Sequence, residues 1–197
     1  MRAELKLLFE RIEGTVLYVT HDQAEAMTMS DRVVIMNRGV VQQVGTPLEV
    51  YNLPSNEFVA GFLGSPAMNF VACQLSQADG AVAVQMPGYS WRAPLAAAAR
   101  MANNQARLQG KATLGIRPED IALVTNGATD GIPGRVTLVE HMGAQNIFIV
   151  QVAQQQLTAT TAADFYLAPG TNVTLQLNNA KVHFFDAASG KNLTLAA

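Results

Sequence analysis

From residue 69 onward the chain divides into strand-length apolar runs separated by turn residues. The runs fall at 69–75, 81–86, 89–92, 111–116, 120–124, 132–141, 146–152, 155–160, 172–177 and 181–185. Between them stand turn signals such as Asp79-Gly80, Pro87-Gly88, Asn126-Gly127 and Pro169-Gly170. Many short strands at this spacing confine the fold to a small closed barrel or a sandwich. The pattern leaves open whether one barrel or two subdomains forms. Trp91 reads as a packing residue of that barrel. Residues 93–104 are expected to hold one helical turn or a flexible lobe.

The first 63 residues are different: they mix helix and strand signals. Leu5, Leu8, Phe9 and Ile12 recur at helical spacing over 2–12, and Gly14 can stop that helix. Thr15 to Val19 is a nearly continuous apolar run, which predicts a strand covered on both faces, as in a parallel sheet. Thr20 and Gln23 have capping-box spacing, so a short helix should begin there. Residues 31–36 and 40–44 flank Asn37-Arg38-Gly39 and predict a hairpin. Thr46-Pro47-Leu48-Glu49 combines a cap, a proline at the first helical position and a carboxylate at the third. A short helix should follow through about Tyr51, and another over Glu57–Leu63, ended by Gly64. Ser65-Pro66 reads as a linker.

Charge shifts at the same place. Residues 1–63 hold five basic and eight acidic side chains, net −3, and the remainder holds eight and seven, net +1. Over all 197 residues the net charge is −2, with 49% apolar and only 14% charged residues. That composition can fill a core and does not fit a disordered tail. It offers no basic field for nucleic acid. Cys73 is the one cysteine, which excludes an intramolecular disulfide and any multi-cysteine zinc site. No apolar run is long enough to span a bilayer, and no signal-peptide pattern opens the chain, so a cytosolic protein is expected.

His21 is the first candidate for chemistry. At the end of an apolar run and before a helix cap, its ring should face a cleft. There it either hydrogen-bonds a phosphate oxygen or simply caps and packs the strand end. Asp22 either orients that histidine, binds a metal, or favours the helix N-terminus. Glu25 is either catalytic or a solvated surface carboxylate, and Met27 and Met29 read as core fillers. His21, His141 and His183 lack metal-ligand spacing, and no metal site is expected. No phosphate loop, dinucleotide fingerprint or nucleophile elbow occurs. Gly115-Ile116-Arg117-Pro118-Glu119-Asp120 is the sharpest motif of the second part. Arg117 either pairs across an interface or belongs to a turn with a local ion pair. His141 reads as structural beside a Gly143 turn, and Phe184-Phe185-Asp186 as a core strand before a polar turn.

These segments together resemble one family. Tyr18 to Thr28 resembles the switch-histidine segment of ABC transporter ATPases of the carbohydrate-importer class. Val44 to Tyr51 and Phe58 to Asn69 resemble the segments that follow it. Gly115 to Asp120 resembles the marker of the C-terminal regulatory domain called TOBE, and Val139 to Gly143 and Phe184 to Lys191 resemble its later parts. The matches keep the family's order over nearly the whole chain, and maltose-type and glycerol-3-phosphate-type importers are most similar.

The resemblance implies an α/β remnant of an ABC ATPase domain over 1–63 and a mainly β, OB-like TOBE barrel over 64–197. It implies that His21 is the switch histidine on the ATP γ-phosphate, supported by Asp22. Gly115, Arg117, Pro118 and Glu119 would form the regulatory-domain motif. ATP and magnesium would serve the intact subunit. A second ATPase subunit would pair through 64–197, beside membrane subunits and a possible regulatory protein. The location would be cytoplasmic, peripheral on the inner face of the plasma membrane. The family's phosphate loop, glutamine loop, signature and catalytic glutamate are not in this sequence, so the chain is expected to be inactive alone. Residues 1–63 would then expose apolar surface. The alternative is a regulatory or small-ligand, anion-binding β module that dimerises without ATP.

Overall fold

The structure is a computed structural model and describes residues 2–78, 81–94, 109–125 and 131–195. It divides into two compact units, Met1–Gly64 and Ser65–Ala197.

In the first unit, helix α1 (Arg2–Glu10) is followed by α2 (Gln23–Met29), strands β1 (Val33–Asn37) and β2 (Val40–Gly45), and helices α3 (Pro47–Asn52) and α4 (Glu57–Phe62). β1 and β2 form an antiparallel hairpin in which Asn37 pairs with Val40, so the turn is the two residues Arg38 and Gly39. Both have positive φ, 48° and 79°, the primed turn that suits the right-handed twist of a hairpin. The Thr46 capping box is present: Thr46 accepts from Glu49 N, and Glu49 accepts from Thr46 N at 2.8 Å. A small core gathers Val33, Ile35, Val50, Val59 and Leu63, with Met27 packed against it.

Two expectations fail here. Thr15–Val19 forms no strand, and Leu17 and Val19 are 85% and 86% exposed. A parallel strand needs hydrogen-bonding neighbours and a cover on each face, and no described segment supplies either. The helix cap is also not Thr20. Asp22 is the N-cap, its carboxylate accepting from Ala24 N at 2.8 Å and Glu25 N at 3.1 Å. A carboxylate two residues closer to the helix wins this competition because it also meets the positive end of the dipole.

The second unit contains strands β3 (Asn69–Ala78), β4 (Ala81–Met86), β5 (Tyr89–Pro94), β6 (Gly110–Ile116), β7 (Ile121–Val124), β8 (Ile132–His141), β9 (Gln145–Val152), β10 (Gln155–Ala162), β11 (Asn172–Leu177) and β12 (His183–Asp186). A strand is found at each expected run, several longer than expected, but those expected at 120–124 and 181–185 begin later, at Ile121 and His183, because Asp120 and Lys181 close 3-10 turns. Of 93–104, Ala93 and Pro94 end β5, and 95–104 lie outside the described residues, as do the turn pairs Asp79-Gly80 and Asn126-Gly127. Two five-stranded antiparallel sheets result, in the orders β12-β6-β3-β4-β5 and β10-β9-β8-β11-β7.

The alternation that marks these strands is the burial pattern itself: on β9, Asn146, Phe148, Val150 and Val152 are buried and their neighbours are not. Both sheets give their inner residues to one core. Val71, Leu75, Trp91, Leu114 and Ile116 from the first meet Leu123, Val136, Phe148 and Leu175 from the second. One shared core answers the question of subdomains: the unit is a single β body, and Trp91 packs within it. Truncating a fully buried residue such as Leu114 to alanine should cost about 3 kcal/mol. Asn69, only 8% exposed, bridges the sheets from β3. It donates to Ile116 O at 3.2 Å and Thr158 O at 2.8 Å, and accepts from Thr158 N at 2.7 Å. Tyr89 on β5 adds a second tie by donating its hydroxyl hydrogen to Gly131 O.

Candidate functional site

The first candidate region surrounds His21. Thr20 Oγ1 donates to Glu25 Oε2 at 2.7 Å and accepts from Asp22 N at 3.0 Å. Tyr18 donates to the same Glu25 oxygen at 3.1 Å, and this bond to a carboxylate holds the phenol pKa above its ordinary value. The residues on either side of His21 are thus fastened to the first turn of α2. His21 itself is exposed rather than set in a cleft. Glu25 is a bonded anchor, which a reading by position on the helix could not show. Gln23 donates to Phe62 O and accepts from Gly64 N at 2.9 Å, fixing α2 to the end of α4.

The second region is the Gly115–Asp120 motif. Gly115 lies on β6 between Phe70 of β3 and His183 of β12. A Cβ there would stand 2.7 Å from Phe185 Cε2 and 2.8 Å from Met68 Sδ, so close packing requires glycine. Pro118–Asp120 form a 3-10 turn in which Asp120 N donates to Arg117 O at 3.0 Å. Arg117 is 4% exposed, an arginine held inside the unit beneath this turn. Asp120 O accepts from Asn178 N at 2.9 Å, which joins the turn to the end of β11. Burial, and then the neighbouring charge of Glu119, raise the Asp120 carboxyl pKa, while Lys181, Arg117 and a hydrogen bond from Asn178 oppose the rise. His21 and Asp22 belong to one unit, and Gly115, Arg117, Pro118 and Glu119 to the other.

The remaining histidines have structural settings. His141 Nδ1 donates to Asn146 Oδ1 at 2.8 Å, and Asn146 in turn donates to Ala163 O and Phe165 O. His183 is buried, stacked on Phe185, with Asn192 Nδ2 3.3 Å from its Nδ1. Asp186 accepts from Ser189 N at 2.7 Å, which makes the polar turn after β12. Cys73 is buried on β3, and burial pushes its thiol pKa up to about 11. Among the described residues no group of His, Cys, Asp and Glu is arranged to hold a metal ion.

An open cleft of about 650 Å3 lies beside the 3-10 turn. Glu119, Asp120, Thr160, Asp164, Gln176 and Asn178 are among the residues that line it.

Residues 64–121 match the MalK OB fold domain and residues 114–185 match the TOBE domain. The second unit carries the MalK OB fold match over its first part and the TOBE match over 114–185. The motif at Gly115–Asp120 sits where the two matched stretches overlap. Beyond these matches, the chain is 38% identical over 193 residues to the sn-glycerol-3-phosphate import ATP-binding protein UgpC 2 of Agrobacterium fabrum, covering 98% of this chain and 49% of that protein. It is 40% identical over 193 residues to UgpC of Salmonella typhi, covering 98% and 52%. The chain therefore spans about half the length of these curated relatives. Among solved structures, a cytoplasmic molybdate-binding protein, ModG, aligns with a TM-score of 0.44 at 14% identity, over 59% of this chain and 94% of that one.

No helix among the described residues is long and apolar enough to cross a membrane.

Proposed function

We propose that this chain is the C-terminal portion of the ATP-hydrolysing subunit of an ABC importer for sugars or glycerol phosphate. The observation that carries the reading is the unbroken relation to importer ATP-binding proteins through both units, not the TOBE domain alone. In this reading 1–63 are an α/β remnant of the ATPase domain. The exposed apolar residues there, among them Leu8, Ile12, Leu17 and Val19, support it, because such surface normally faces other parts of a core.

The residues present do not by themselves make a site for ATP and magnesium. A single exposed imidazole has neither the loop amides nor the lysine that hold phosphates, and the chain contains no phosphate loop. The chain alone therefore neither binds nor hydrolyses ATP. In the intact subunit His21 acts as the switch histidine, with Asp22 shaping its loop. The TOBE domain pairs with that of a second ATPase subunit. Membrane subunits hold the pair on the inner face of the plasma membrane, and a regulatory protein is a further partner.

Calorimetry with ATP and magnesium should show no heat of binding for this chain, and micromolar affinity would overturn the reading. Adding the N-terminal half of the Agrobacterium relative should restore turnover. In that reconstituted subunit His21→Ala should lower kcat about 100-fold or more with little change in ATP affinity, as loss of a transition-state contact requires. Unchanged turnover would remove His21 from its role.

A further inference from the structure

Helix α2 is seven residues long and has no buried residue; Ala26 and Met27 pack partly against the small core of the first unit. A helix this short does not sustain itself, so side-chain bonds weigh heavily in where it sits. Glu25 accepts from Tyr18 and Thr20, and Thr28 and Ser30 donate to carbonyls of α2 itself. Gln23, the first residue of α2, reaches a different element. Its carboxamide donates to Phe62 O and accepts from Gly64 N at 2.9 Å, across 39 and 41 positions of sequence.

Both partners are main-chain groups at the point where α4 stops. The last carbonyls of a helix lack partners within it, and Gln23 supplies one for Phe62. Gly64 has φ 120°, a conformation open to glycine, and it is the last residue of the first unit. A carboxamide presents a donor and an acceptor on one rigid plane, so two bonds fix its orientation as well as its reach. His21 stands two residues before Gln23, and its exposed ring goes where the loop carries it. That loop is fastened to α2 through Thr20 and Tyr18, and α2 is fastened to the end of α4 through Gln23.

We propose that Gln23 is a positioning residue for His21: its carboxamide ties the His21 loop to the residue at which the first unit ends. The proposal rests on the reading of His21 as the switch histidine. Gln23 touches no phosphate in this role. It acts through the loop, by holding the imidazole where the transition state needs it.

The test uses Gln23→Met, which keeps the length of the side chain and removes both bonds. In the 15N-labelled full chain, backbone order parameters at 18–22 should fall while those of β1 stay unchanged, and the Gly64 amide should exchange faster. Unchanged order at 18–22, or equal loosening of β1, would overturn the proposal. In the subunit reconstituted with the N-terminal half of the Agrobacterium relative, Gln23→Met should lower kcat about tenfold with the KM for ATP unchanged. Added to His21→Ala it should cost nothing further, because the group it positions is gone. Full turnover in Gln23→Met, or a further loss in the double variant, would overturn this proposal alone. Full turnover in His21→Ala would overturn the reading of His21 and the proposal with it.

Discussion

At the residue scale, one side chain does much of the joining in the second unit. Asn69 and Thr158 lie 89 positions apart, yet three hydrogen bonds run through the Asn69 amide. Asn69→Ala would strand buried main-chain groups on both sheets and should lower stability by about 3 kcal/mol in urea unfolding. No sequence pattern announces such a residue, because its partners are main-chain atoms far along the chain. Gly115 was legible as part of a motif, but the cause of its identity, contact with Phe185 and Met68, was not. Asp120 offers a pH signature. Its pKa is raised in the folded state by burial first and Glu119 second, so the folded chain holds that proton more tightly than the unfolded one. The resulting stability is present below the ordinary carboxylate range and is lost as pH rises through the folded value. Asp120→Asn should flatten that segment of the curve of urea midpoint against pH.

At the element scale, legibility followed locality. Hairpins and capped helices depend on neighbours a few residues away, so the β1–β2 turn and the Thr46 box were readable in advance. The run Thr15–Val19 has strand composition but no described partner to hydrogen-bond, and it stays coil. The α2 cap was misread because two polar residues compete within three positions, and only geometry decides between Thr20 and Asp22. The β1–β2 turn can be improved. Arg38 holds φ 48°, a region asparagine tolerates better. Arg38→Asn should therefore stabilise the first unit by about 0.5 kcal/mol, read as a higher thermal midpoint.

At the scale of the whole molecule, the two units differ in how completely they hide their apolar residues. In the first, Val34 and Val44 pair directly across the hairpin and both are exposed, as are Met36 and Val41 beside them. In the second, a continuous core is shared by both sheets. The full chain should therefore enhance the fluorescence of the apolar dye ANS, and a piece comprising 65–197 should do so far less. Equal dye binding would mean that the apolar surface of the first unit is covered in solution.

The order β12-β6-β3 places the first and last strands of the second unit on either side of the same strand. Phe184 and Phe185, both fully buried, arrive with the last of them. During synthesis, more than a hundred residues of this domain emerge before the flank of β6 can be filled. Until then β6 offers an open edge to any chain nearby, the condition under which nascent proteins aggregate or attract chaperones. Loss of the final strand through a premature stop would leave that edge open for the life of the protein, and quality control would remove most of the product before its function could be assayed.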